Sequence, residues 1–107
     1  MNIETLSVQG SSGGDEKTGA ISFPIYQTAT FKHLGLNKST GYDYSRDTNP
    51  TREEVEKTIA KLENGLGAIG FSSGVASIVC CIHLFKCGDH IILSEDLYGG
   101  TFRLFNE

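Results

Sequence analysis

The chain has 107 residues, of which 38% are hydrophobic and 21% charged, with a formal net charge of -4. That size and balance suit one modest globular domain and exclude a low-complexity disordered tail. The negative charge argues against a general nucleic-acid or membrane surface, and no run approaches the ~20 apolar residues of a spanning helix.

Residues 1–20 are polar and rich in Gly and Ser, which predicts an arm or loop with a short helix around Glu4 to Val8. The opening residues have no basic region followed by an apolar core, so a secretory signal is not expected. "ISFPIYQTATF", from Ile21 to Phe31, is apolar and β-prone, but Pro24 interrupts it. An extended segment lying on another surface suits it better than a central strand. Residues 37–50, "NKSTGYDYSRDTNP", have the composition of a long loop, and long ordered loops tend to carry function.

A helix over about 52–64 follows. Thr51 and Glu54 form a T-x-x-E capping box, and Pro50 precedes it because proline is excluded from a helix interior. Val55, Ile59, Leu62 and Leu66 recur at helical spacing. Glu53 and Lys57 are an i,i+4 pair of favourable orientation, and Asn64-Gly65 supplies the stop.

"GAIGF" (67–71) reads as a short strand, "SSG" as a turn, and "VASIVCCIHLFK" (75–86) as a buried helix, apolar nearly all round. Gly88 ends that helix, and "HIILS" (90–94) reads as a second buried strand. Strand, turn, helix, turn, strand is a βαβ unit with a parallel sheet, so the expected class is α/β. "YGGTFRLF" begins another helix. Cys80, Cys81 and Cys87 are odd in number and lie in one apolar run without a CxxC pair. They predict buried thiols in a reducing cytosol, with no disulfide framework and no metal site.

Two glycine signals overlap between Gly65 and Ser77. Gly65, Gly67 and Gly70 spell the dinucleotide fingerprint G-x-G-x-x-G. That loop must follow a strand and open a helix, whereas Gly65 follows a helix. The "SSG" turn stands in the better place, between a strand end and a helix N-terminus, where free amides favour an anion. From the turn alone, an ordinary Ser cap and a phosphate site are equally good readings. Arg46 is a candidate anion partner. Tyr44, two residues earlier, faces the same side in an extended segment.

"GYDYSRDTNPTREEVEKTIAKLENG", "FSSGVASI" and "GDHIILSEDLYGGTFRLF" together resemble the Cys/Met-metabolism family of pyridoxal-phosphate enzymes, as does "GAISFPIYQTATF". The likeness covers nearly the whole chain. It implies the N-terminal arm and first βαβ part of an aspartate aminotransferase-like large domain, incomplete here. Residues 1–50 would be the arm and cofactor clamp, and 51–107 the beginning of the cofactor-binding domain. By resemblance, Tyr44 and Arg46 bind the cofactor phosphate of a neighbouring subunit. Ser73, Gly74 and Val75 hold that phosphate within the same subunit, and Tyr98 stacks on the pyridine ring beside the substrate. The resemblance further implies pyridoxal 5'-phosphate as cofactor, an amino-acid substrate, a cytoplasmic homo-oligomer (dimer or tetramer) with shared sites, and no nucleic-acid or membrane partner.

This chemistry needs a lysine that carries the cofactor as a Schiff base. The family places it downstream in a Ser-x-Thr-Lys context, and none of Lys17, Lys32, Lys38, Lys57, Lys61 and Lys86 has that context. The chain is therefore expected to be the N-terminal portion of a family member, inactive alone and without a catalytic residue of its own. The implied reaction is elimination or replacement at Cγ or Cβ in trans-sulfuration. Within the family the motifs look nearest to the cystathionine γ-synthase and homoserine-ester thiol-lyase type. The alternatives are a cystathionine β- or γ-lyase, a methionine γ-lyase, or a non-catalytic fragment that keeps an assembly surface.

Overall fold

A computed structural model describes residues 2–10 and 13–106. Ser11 and Ser12, inside the polar arm, lie outside the described residues. Four helices follow in chain order: α1 (Ile3–Gln9), α2 (Pro50–Leu62), α3 (Gly74–Ile82) and α4 (Gly99–Asn106). The chain divides into two compact units, Met1–Ile69 and Gly70–Glu107.

In the first unit α1 packs against α2. Asn2 caps α1, its side chain accepting from the Thr5 amide at 3.0 Å. Gly10 ends α1 at φ 72, a conformation that favours glycine. A Cβ at Gly10 would also stand 3.1 Å from Glu54 Oε1 on α2. The segment 21–31 forms neither helix nor strand, bends at its ends and turns where the Thr28 amide bonds the Tyr26 carbonyl at 3.1 Å, and it is held from outside. The Tyr26 amide donates to Thr51 Oγ1 at 2.8 Å, and Thr30 forms a single antiparallel bridge with Tyr44.

Helix α2 forms close to where its pattern predicts, but its cap differs. Asn49, not Thr51, is the N-cap: its side chain accepts from the Thr51 amide at 2.8 Å, and Pro50 occupies the first turn. The Thr51 hydroxyl is engaged by Tyr26 instead. The C-terminus is a Schellman motif. Asn64 sits at φ 53, its amide bonds the Lys61 carbonyl at 3.3 Å, and the Gly65 amide bonds the Ala60 carbonyl at 2.8 Å. That geometry uses Gly65 as a helix stop and removes it from any dinucleotide loop.

Glu53 accepts from Lys57 Nζ at 3.1 Å and from the Tyr42 hydroxyl at 2.9 Å. The Lys57 bond, then the Tyr42 bond, hold the Glu53 carboxyl below its ordinary 4.5. Partial burial, then the same hydrogen bond, push the Tyr42 hydroxyl up. A lowered carboxylate stabilises the fold fully above its unfolded value and loses that contribution as pH falls through the folded value. Glu53→Gln should therefore flatten the acid dependence of α2 helicity below pH ~4.5. Because Lys57 is exposed and Glu53 only partly buried, the loss of the pair should cost under about 1 kcal/mol at neutral pH. Circular dichroism across an acid titration measures both.

In the second unit α3 packs against α4. α3 is shorter than the 75–86 expected. Past Ile82 the Leu84 and Phe85 amides bond carbonyls three residues back, at Cys81 and Ile82, and the His83 ring donates to the Val79 carbonyl at 2.7 Å. These bonds wind the end into a tighter turn. The Asp89 carboxylate then takes the Lys86 amide at 2.8 Å around Gly88, which sits at φ 100.

Three expectations are corrected. Neither 67–71 nor 90–94 is a strand, and the described residues contain only isolated bridges, so the βαβ unit and the α/β sheet are not formed here. A parallel ladder needs neighbouring strands and cover on both faces, and Ile92 stands 94% exposed. The α3 run is not buried all round: Leu84 and Phe85 are exposed, and so are Cys80, Cys81 and Cys87. On α2, Val55 and Ile59 are exposed, as is Leu66 just beyond it. Apolar patterning predicts burial only where another layer packs against it. Among the described residues no apolar side chain is buried, and Thr101 is the single buried residue.

Candidate functional site

In the second unit a cavity of about 440 Å³ opens at the start of α3. Ser73, Gly74, Val75, Ile78, Tyr98 and Thr101 line it. Four of the six residues expected to meet the cofactor are thus brought together, from two segments more than twenty residues apart.

Ser73 is extended at φ -158 and ψ 159, and its Oγ accepts from the Ala76 amide at 3.1 Å. The hydroxyl therefore serves as the helix cap. The next two amides, of Gly74 and Val75, lie in the first turn, where no carbonyl one turn back is available to them. A Cβ on Gly74 would meet no atom within 4 Å, so the space before this turn is open. Free amides at the positive end of a nine-residue helix suit an anion.

Tyr98 stands at the entrance of α4. Its carbonyl accepts from the Thr101 amide at 2.9 Å and the Phe102 amide at 3.0 Å, which starts the helix. Its ring is 76% exposed yet faces the cavity. Gly100 makes this possible, because a Cβ there would stand 2.7 Å from Tyr98 Cε1 and 3.3 Å from Val75 Cγ2. A phosphate-sized anion at the turn and a flat ring against Tyr98 fit this donor set. No lysine lines the cavity.

Two lining residues escaped the sequence reading. Ile78 follows Gly74 by one helical turn and Thr101 follows Tyr98 by three residues. That spacing from a recognised site residue was the available signal.

Tyr44 and Arg46 belong to the first unit and pair with each other. The Arg46 guanidinium carbon sits 4.8 Å from the centroid of the Tyr44 ring, a cation–π contact. The two share a side, but not because the segment is extended. Residues 44–48 form a turn in which the Asp47 and Thr48 amides both bond the Tyr44 carbonyl at 3.0 Å. The pair offers a fork of donors and a hydroxyl in one place, which suits a phosphate.

A helix-opening amide turn facing an aromatic ring, with an Arg–Tyr pair elsewhere in the chain, has the donors and the flat surface that a phosphorylated planar group would need. The family described as Cys/Met metabolism PLP-dependent enzyme matches residues 4–107. The chain belongs to that family, and pyridoxal phosphate is the family's cofactor. It is 51% identical over 105 residues to a cystathionine gamma-synthase/O-acetylhomoserine (thiol)-lyase of Bacillus subtilis (strain 168), covering 98% of this chain and 28% of that protein. It is 50% identical over 106 residues to a cystathionine beta-lyase of Lactococcus lactis subsp. cremoris (strain MG1363), covering 99% and 28%. The crystal structure of a cystathionine gamma-lyase from Lactobacillus plantarum complexed with L-serine superposes with a TM-score of 0.85 at 46% identity, covering 99% of this chain and 28% of that one. The chain thus spans 28% of the length of these relatives. Among the described residues no helix is long and apolar enough to cross a membrane, and no cluster of side chains could hold a metal ion.

Proposed function

We propose that this segment is the N-terminal cofactor-binding part of a cytoplasmic pyridoxal-phosphate enzyme of trans-sulfuration, of the cystathionine γ-synthase type. The observation that carries the reading is the cavity where the Ser73–Val75 turn and the Tyr98 ring meet. In it the Gly74 and Val75 amides hold the phosphate, with Ser73 fixing the turn through its cap. The Tyr98 ring covers the pyridine face and meets the substrate. Tyr44 and Arg46 clamp the phosphate of a neighbouring subunit, so the sites are shared in a homo-oligomer with a dimer as the minimal unit. Pyridoxal phosphate, when bound, supplies the electron sink that elimination or replacement at Cβ or Cγ of an amino acid requires. The residues of this chain bind and orient, and the proton-moving lysine is not among the cavity's residues. A β- or γ-lyase shares the same cofactor residues, because these grip the cofactor and do not choose the substrate. Incubating the whole enzyme with cystathionine, and separately with an acylated homoserine and a thiol, separates lyase from synthase.

The stacking role is tested by Tyr98→Phe and Tyr98→Ala in the whole enzyme. A covering ring contributes roughly 0.5–1.5 kcal/mol beyond its area, so the Ala variant should bind cofactor about 2- to 12-fold more weakly while Phe keeps most affinity. Gly100→Ala should mimic Tyr98→Ala, since the added methyl displaces the ring. Spectrophotometric cofactor titration reads all three. Equal, negligible effects remove Tyr98 from the site.

A further inference from the structure

The turn that presents Tyr44 and Arg46 is gripped by side chains the phosphate reading does not use. Asn49 engages every polar atom of its amide. Its Nδ2 donates to the Tyr26 carbonyl at 3.1 Å and to Ser45 Oγ at 2.9 Å, while its Oδ1 accepts from the Thr51 amide at 2.8 Å. Ser45 passes the hold onward: its hydroxyl donates to the Thr28 carbonyl and its amide to the Ala29 carbonyl at 2.9 Å. From the other side comes Arg52, in the first turn of α2. Its Nη1 donates to the Arg46 carbonyl at 3.3 Å and its Nη2 to the Asp47 carbonyl. Its Nε faces Glu56 Oε1 at 3.5 Å.

The turn is therefore fixed both to the segment 26–29 and to the start of α2. The Arg52 fork holds the peptide planes on either side of Asp47, directly beyond the Arg46 side chain. An arginine fork keeps two carbonyls at set positions in a way a lysine cannot. We propose that Asn49 and Arg52 are positioning residues for a phosphate clamp, fixing the turn so that Arg46 stays stacked on Tyr44 and the pair meets its ligand pre-organised. A clamp held in place before binding loses less freedom when it closes on the anion. The proposal rests on the reading of Tyr44 and Arg46 as phosphate ligands.

The test uses the whole enzyme, stripped of cofactor and titrated with pyridoxal phosphate and with pyridoxal, which lacks the phosphate. Asn49→Ser keeps a competent cap but is too short to reach Tyr26 and Ser45. Arg52→Lys keeps the charge and loses the fork. Each variant should weaken pyridoxal phosphate about tenfold and pyridoxal less than about twofold, as loss of one or two hydrogen bonds to a charged-ligand clamp implies. Combined with Arg46→Ala, neither should add to the loss of that variant alone. Equal weakening of both ligands, or no change, overturns the proposal. Amide hydrogen exchange keeps the two ideas apart. The Ser45 and Thr48 amides should exchange about tenfold faster in both variants, while the α3 amides do not change. If Arg46→Ala leaves the preference for the phosphorylated ligand intact, the phosphate reading has failed; unaltered exchange at Ser45 and Thr48 means the brace has failed.

Discussion

Replacing Arg46 with alanine in the whole enzyme should weaken pyridoxal-phosphate binding about 10- to 160-fold, the range set by ~1.5–3 kcal/mol for hydrogen bonds to a charged group. The loss should be specific, because Arg46 is exposed and its guanidinium lies over the Tyr44 ring. Tyr44→Phe, which keeps the ring and removes the hydroxyl, should lose less. The clamp sits on a turn outside any core, so it is free to serve a neighbour. Mixing an Arg46→Ala subunit with one lacking the cofactor lysine should then restore activity in hybrid dimers, since sharing would leave one of the two sites intact. Hybrids that form but show no activity would count against sharing. Equilibrium titration and hybrid assays together separate loss of affinity from loss of assembly.

The 107 residues on their own should give no turnover with any amino acid and trap no lysine stoichiometrically under borohydride. The cavity that meets the proposed cofactor contains no lysine. Stability should also be low. Leu84 and Ile92 are 82% and 94% exposed, and no apolar side chain among the described residues is buried. Burial contributes ~25 cal/mol per Å² against a typical total of only ~5–15 kcal/mol. Such a chain should unfold over a broad range, bind a hydrophobic dye and show limited solubility. Cofactor-dependent turnover with one lysine trapped at a defined position would overturn this expectation.

What could be read in advance was local chemistry. Asn64-Gly65 was legible as a stop because the left-handed position it fills depends only on those two residues. At Ser73 a cap was one of two equally good local readings, and the Glu53–Lys57 pair was legible from its i,i+4 spacing. Contacts made at a distance were hidden. Asn49 and Thr51 flank one proline and both can cap, and the choice is made by the Tyr26 amide, 25 residues from Thr51. The strands at 67–71 and 90–94 were inferred from β-prone apolar runs, but a ladder depends on partners that a run does not specify. The three cysteines share this fate, since a run of apolar residues says nothing of what packs over it. Tyr44 and Arg46 do share a side, by way of a turn and a cation–π contact in place of strand alternation. The need for a glycine at 100 is likewise set by a contact, the close approach of the Tyr98 ring.

The measurement that bears most directly on this account is a crystal structure of the whole enzyme with pyridoxal phosphate bound. The phosphate oxygens should lie about 2.7–3.2 Å from the amides of Gly74 and Val75. The pyridine ring should lie against Tyr98, with Arg46 and Tyr44 from another subunit on the same phosphate. A phosphate seated at Gly65 to Gly70, or a Tyr98 ring turned away from the cofactor, would contradict it.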